Sequence, residues 1–256
     1  MQNRLARIIK PKSGRCVMLA VDHGYFGNVP GSLKCFGDLN PLFQYADALM
    51  LTRGMLRSCV SADIDVPIVL RVSAGASMLK ELSNEEINVT IEDAIRLNVS
   101  AITCSIFVGG EFEKQSLMNL SKLVNWGQEY GIPALAVTAV GREMVRDYRY
   151  LGMASRMAAE LGATFVKTYY CDDFENVTSI CPVPVVIAGG KKLPEKDALQ
   201  MAKNAINAGA VGVDMGRNIF QSDKPIGMIR AVRAIVHENA SVDEAYSIYQ
   251  DGPIGL

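Results

Sequence analysis

The feature that most constrains this chain is an alternation. Short, almost wholly apolar runs recur between longer segments with helical spacing, and no linker or low-complexity stretch interrupts them. The runs are C-V-M-L-A-V (16–21), A-L-M-L (48–51), P-I-V-L-R-V (67–72), S-A-I-T-C-S-I-F (100–107), P-A-L-A-V-T (133–138), T-F-V-K-T (164–168), V-P-V-V-I-A (183–188) and V-G-V-D-M (211–215). Each reads as a strand covered on both faces, the habit of a parallel sheet. Between them lie amphipathic segments such as S-L-M-N-L-S-K-L-V-N-W and Y-L-G-M-A-S-R-M-A-A-E-L. E-Y-G-I-P, E-L-G-A-T and N-A-G-A-V each put a glycine between a helix end and the next strand, where a left-handed C′ residue is expected. The pattern predicts an α/β chain folded as one closed (β/α)₈, or TIM, barrel domain over residues 1–256. A doubly wound open sheet is the competing arrangement, but no G-x-G-x-x-G follows the first run.

Charge and cysteine usage narrow the partners. Acidic and basic side chains nearly cancel, 27 against 26, so the balance advertises neither nucleic acid nor an anionic membrane. The start, M-Q-N-R-L-A-R-I-I-K-P-K, lacks a signal-peptide pattern, and no run of about 20 apolar residues occurs, so a cytoplasmic location is expected. Six cysteines (16, 35, 59, 104, 171 and 181) form no C-x-x-C pair and sit mostly in apolar runs. Reduced core thiols are expected, with no zinc or other metal site. What remains is a small-molecule site or a protein partner.

In a barrel the site lies where the strands end, so those ends are read in order. They carry D-H-G (22–24), T-R-G (52–54), R-V-S (71–73), F-V-G-G, T-A-V-G, the lysine of T-F-V-K-T, A-G-G-K-K (188–192) and M-G-R-N (215–218). Strand alternation puts Phe165, Lys167 and Tyr169 on one face and Val166 and Thr168 on the other. Among apolar walls the ammonium is disfavoured, so Lys167 is expected to be a nucleophilic amine able to condense with a ketone. The plain alternative is a structural ion pair with Asp22 or Asp214. Gly189 and Gly190, with Gly216 and Arg217 opening a short helix, suit a phosphate, and Lys191 or Lys192 could join them. Asp22 and His23 are candidates for proton transfer or for holding substrate hydroxyls. Arg53 and Arg71 suit substrate contacts or an internal ion-pair network equally well. Asp214 interrupts an apolar strand and must have a partner, with Lys167 the natural one. His237 reads as a cation at a helix end, and M-V-R-D-Y-R-Y (144–150) as a solvated or subunit-facing surface.

Together these strings carry a resemblance. M-L-A-V-D-H-G-Y-F, V-K-T-Y-Y, V-V-I-A-G-G-K-K-L-P and V-D-M-G-R-N-I-F-Q-S-D resemble the class I, Schiff-base aldolase family of archaeal and bacterial type over essentially the whole chain. Within it they are most similar to the thiolase-like branch that processes autoinducer-2 as 3-hydroxy-5-phosphonooxypentane-2,4-dione. The resemblance implies Lys167 as Schiff-base residue, Asp22 as a substrate contact, and Gly189, Gly190, Gly216 and Arg217 around phosphate. It implies acetyl transfer to coenzyme A as co-substrate, no resident cofactor or metal, and a homo-oligomer of the pentamer or decamer type. Retro-aldol cleavage of another phosphoketose is the alternative, followed by a phosphosugar isomerase or a silent binding protein. One departure separates the chain from fructose-bisphosphate aldolases of the family. Where they carry a strand-five tyrosine in a Tyr-Pro-Arg-Gly-like motif, this chain has Thr138, Ala139, Val140 and Gly141.

Overall fold

A computed structural model describes residues 1–27, 36–139 and 145–256. Every predicted strand forms. In chain order the first three are β1 (Cys16–Ala20), β2 (Ala48–Thr52) and β3 (Ile68–Arg71). Two short strands absent from the sequence reading follow, β4 (Ser73–Ala74) and β5 (Glu86–Ile87), paired antiparallel above the barrel rim. The rest are β6 (Ala101–Ile106), β7 (Ala134–Thr138), β8 (Phe165–Tyr169), β9 (Val185–Ala188) and β10 (Gly212–Met215). Eight of the ten close into a parallel barrel in the order β1-β10-β9-β8-β7-β6-β3-β2. The open-sheet alternative is thereby excluded.

Helices follow from capping and spacing. The helix Glu113–Tyr130 stops on Gly131, whose φ of 68° is the left-handed conformation expected there. Gly162, at φ 98°, likewise turns the helix Tyr148–Glu160 into β8. Asp147 opens that helix by accepting a bond from the Tyr150 amide at 2.9 Å. Among the described residues no helix is long and apolar enough to cross a membrane.

The two-residue strand period separates two cores. Met18, Met50, Val69, Leu135, Phe165 and Val186 fill the barrel, and Leu5, Ile8 and Ile9 close its floor. Leu19, Leu49, Leu70, Ile102, Val166 and Ile187 point outward into the helical layer. Each such side chain contributes about 1.5–3 kcal/mol on burial. Because Phe165 points in and Val166 out, Lys167 must point in, one pleat nearer the mouth.

Candidate active site

At the barrel mouth the strands bring together the charged side chains of Lys167, Asp214, Asp22 and Arg71. Lys167, only 7% exposed, lies opposite Val186 on β9, and Asp214 on β10 lies opposite Ala188 one pleat further along. Lys167 Nζ sits 2.7 Å from Asp214 Oδ2, the pairing that the interrupted strand required. Burial pushes the Asp214 carboxyl above its ordinary value, with Lys167 opposing the shift. Its Oδ1 has no hydrogen-bond partner among the described residues. A carboxyl raised by burial is a good proton acceptor. Moving a proton from Nζ to Asp214 replaces a buried ion pair with a neutral pair and frees the amine.

Asp22 follows β1 and accepts a bond from Arg71 Nε at 3.1 Å, with both groups buried. Burial alone would raise the Asp22 carboxyl, but Arg71 and then Lys167 outweigh it and hold the group below its usual range. Asp22 is therefore an anion suited to accepting hydroxyl hydrogens. His23 differs. Burial pushes it down to about 4, reinforced by Lys167, Arg217 and Arg71 and opposed by Asp22. The ring is neutral at pH 7, sits edge-on to Phe220, and leaves Nδ1 without a partner among the described residues. A neutral imidazole with a free nitrogen can accept or relay a proton.

The two glycine loops form the opposite wall. Gly216 has no room for a side chain, because a Cβ there would lie 2.2 Å from the Ala20 carbonyl oxygen and 2.7 Å from His23 Cε1. The helix Arg217–Phe220 starts from it, so its first N–H groups have no intrahelical acceptor. Arg217 Nη2 donates to the Gly190 carbonyl at 2.7 Å, while its Nε is buried with no partner among the described residues. Asn218 ties the loops together, donating to the Gly189 carbonyl at 2.6 Å and accepting from the Leu193 amide at 2.8 Å. Lys167, Asp22, His23, Arg71, Gly189, Gly190, Asp214, Gly216 and Arg217 all line one cavity of about 310 Å³.

Several expectations need correction. Lys192 bonds Glu195 Oε1 and the Leu193 carbonyl, each at 2.6 Å, and Lys191 is exposed, so neither lines the cavity. Arg53 is an ion-pair residue, 3.1 Å from Asp93, and lines a neighbouring cleft. His237 ends its helix as expected but serves as a tether, with Nε2 2.7 Å from Asp47 Oδ2. The stretch 144–150 is not all surface, because the Arg146 guanidinium stacks on Tyr169, 3.9 Å from the ring centroid, and both line the cavity. Val140 and Gly141, on which the Tyr-Pro-Arg-Gly departure partly rests, and Cys35 and Met144, lie outside the described residues. Thr138 is described, and its hydroxyl is spent on Thr168 Oγ1 at 2.7 Å.

Sequence reasoning missed Tyr25 and Glu85. Tyr25 donates to Glu85 Oε1 at 2.9 Å, and both line the cavity. The tyrosine stood inside the quoted D-H-G-Y-F string, whereas Glu85 comes from the short hairpin that no periodicity announced. Cys16 and Cys104, by contrast, are buried, and burial pushes the Cys104 thiol up to about 12. Both are core thiols. Among the described residues no group of three or more His, Cys, Asp or Glu is placed to hold a metal ion.

Known proteins resemble the chain in sequence and in fold. The chain is 57% identical over 253 residues to a 3-hydroxy-5-phosphonooxypentane-2,4-dione thiolase of Enterobacter sp. (strain 638), covering 98% of this chain and 86% of the relative. It is 54% identical, over 98% of its length and 87% of the relative, to an uncharacterized aldolase of Pasteurella multocida. A crystal structure of an archaeal fructose 1,6-bisphosphate aldolase superposes with a TM-score of 0.81 at 25% identity, covering 92% of this chain and 98% of that one. Residues 16–222 match the description of a DeoC/LacD family aldolase. With its closed parallel barrel and a lysine buried in the mouth, the chain belongs to the DeoC/LacD family of aldolases.

Proposed function

We propose that the protein cleaves a carbon–carbon bond of a phosphorylated ketone through a Schiff base on Lys167. We infer further that the ketone is 3-hydroxy-5-phosphonooxypentane-2,4-dione and that coenzyme A accepts its acetyl group. The observation that carries this reading is Lys167 Nζ, 2.7 Å from a buried carboxylate inside a cavity walled by Arg217 and three glycines. The name shared by relatives more than half identical to the chain supports the substrate.

The mechanism follows from the groups present. Phosphate rests against the loops of Gly189, Gly190 and Gly216, where Arg217 offers an Nε unpaired among the described residues. The carbonyl nearest the phosphate then lies at Lys167, which gives its proton to Asp214 and adds to the carbon. Loss of water yields an iminium. Sulfur of coenzyme A adds to the far carbonyl, and the bond between that carbon and the hydroxyl-bearing carbon breaks. Its electrons pass into the iminium to give an enamine. Protonation and hydrolysis release dihydroxyacetone phosphate beside acetyl-CoA. Asp22, held as an anion by Arg71, accepts the substrate hydroxyl hydrogen, and neutral His23 relays protons beside the phosphate loop.

Retro-aldol cleavage of another phosphoketose is the second reading, favoured by the likeness to an archaeal fructose 1,6-bisphosphate aldolase. The occupied Thr138 hydroxyl weighs against it, since it leaves no free group at the end of β7 to take the hydroxyl proton that retro-aldol cleavage releases. One assay separates them. Purified protein is given the dione with and without coenzyme A, and acetyl-CoA and dihydroxyacetone phosphate are measured by mass spectrometry. Equal amounts of both, formed only with coenzyme A, are expected. Cleavage indifferent to coenzyme A would favour the retro-aldol reading, and no cleavage in either case would sink both. A cytoplasmic location suits a coenzyme A substrate. Family resemblance supports a homo-oligomeric ring, which light scattering would test.

A further inference from the structure

Thiolysis moves one proton. It leaves sulfur and ends on the carbon that becomes the hydroxymethyl group, so the chamber needs a carrier on the side away from the phosphate. Asp22 is tied to Arg71 and is an anion, and His23 lies against Gly216 in the phosphate wall.

Tyr25 stands on the far side. It arises after β1, but its ring lies under the Arg71 guanidinium, 4.8 Å from the centroid, and its hydroxyl reaches to 3.5 Å from Ser105 Oγ on β6. The phenol donates to Glu85 Oε1 at 2.9 Å, and Ser73 Oγ donates to Glu85 Oε2 at 2.7 Å. Glu85 is only 1% exposed, so a carboxylate has been taken out of water behind the phenol. With its proton directed at Glu85, the phenol oxygen can accept one from a group in the chamber. Tyr25 also lines a second cleft of about 530 Å³ beside Thr52 and Arg53, so it stands between that cleft and the Schiff-base chamber. Burial raises the phenol above its ordinary range, which keeps it protonated at rest.

We propose that Tyr25, backed by Glu85, is the acid–base residue that carries the proton from the incoming thiol to the enamine carbon. The inference rests on the Schiff-base reading and adds a residue to it. The S–H bond breaks and its proton passes to the Tyr25 oxygen while the phenolic proton passes to Glu85. The sulfur electron pair forms the bond to the acetyl carbon, and collapse of that adduct breaks the carbon–carbon bond into the iminium. Glu85 then returns its proton to Tyr25, and Tyr25 gives one to the enamine carbon. Sulfur has lost one proton, carbon has gained one, and both residues end as they began.

Dihydroxyacetone phosphate in D₂O isolates the carbon half of this cycle, because an iminium on Lys167 exchanges a hydroxymethyl hydrogen for deuterium, visible by NMR. Tyr25→Phe and Glu85→Gln are each expected to slow exchange and turnover about 100-fold, the usual range for losing an acid–base group. Borohydride labelling of Lys167 is expected to match the unmodified protein. Exchange and turnover at the unmodified rate in Tyr25→Phe would overturn the inference, as would a parallel loss of labelling, which marks a structural role. If Tyr25→Phe does not fold, isosteric Glu85→Gln decides in the same way. Failure of the unmodified protein to label refutes the Schiff-base reading instead.

Discussion

Asp47 and Asp214 are both buried carboxylates, one beneath the barrel and one in its mouth, and their surroundings differ in kind. Asp47, just before β2, accepts from the Val17 amide at 2.7 Å, from His237 at 2.7 Å and from Arg233 at 3.1 Å. Burial would raise its carboxyl, but those bonds, His237 foremost, hold it below the usual range. Among the described residues Asp214 has one close cation and an Oδ1 without a partner, and its carboxyl is shifted up. A fully bonded carboxylate fastens the last long helix to the first strands. One left short of partners is poised to take a proton, which is where perturbed acidities and function coincide.

The contrast breaks most visibly at the mouth. Lys167→Met should abolish turnover, on the order of 10⁴-fold or more for loss of a covalent nucleophile, with the circular dichroism spectrum unchanged. Near-normal turnover in that variant would move the chemistry elsewhere. Asp214→Asn keeps the shape but loses the proton acceptor, so single-turnover iminium formation should slow about 10²–10³-fold. The unfolding midpoint should fall as well, because buried Lys167 loses its ion-pair partner.

The opposite end should respond in stability alone. Asp47→Ala strands His237 and Arg233 and should cost about 2–3 kcal/mol in urea titration. That is less than the full cost of breaking a buried pair, since Arg233 is a third exposed. Activity per folded molecule should hold. The smallest effect is a pH dependence. His23 is lowered to about 4 in the folded chain, so below its ordinary 6.5 the unfolded chain binds a proton that the folded one refuses. Stability from this group is present above 6.5 and lost as pH falls toward 4. After discounting for partial exposure the loss is about 1–2 kcal/mol, and it should be absent in His23→Gln.

Legibility in the sequence followed the same division. Strands covered on both faces are written as apolar runs, so all eight barrel strands were readable, and alternation alone aimed Lys167 inward. Asp214 announced its partner because a charge in such a run cannot stand alone. What stayed hidden depends on chain folding back. Ser73–Ala74 and Glu86–Ile87 are too short to show a period, yet they deliver Glu85 to Tyr25. The adjacent pair Lys191 and Lys192 looked like phosphate ligands, but local helix-start geometry gives Lys192 to Glu195. Arg146 was read by composition as surface until stacking on Tyr169 drew it into the cavity wall.

The central claim is that Lys167 is the amine that bonds the ketone. Reduction with borohydride in the presence of dihydroxyacetone phosphate, followed by peptide mass spectrometry, tests it directly. The account expects one stable adduct, on the peptide containing Lys167 and absent from Lys167→Met. An adduct on another lysine, or none at saturating ligand, would contradict it.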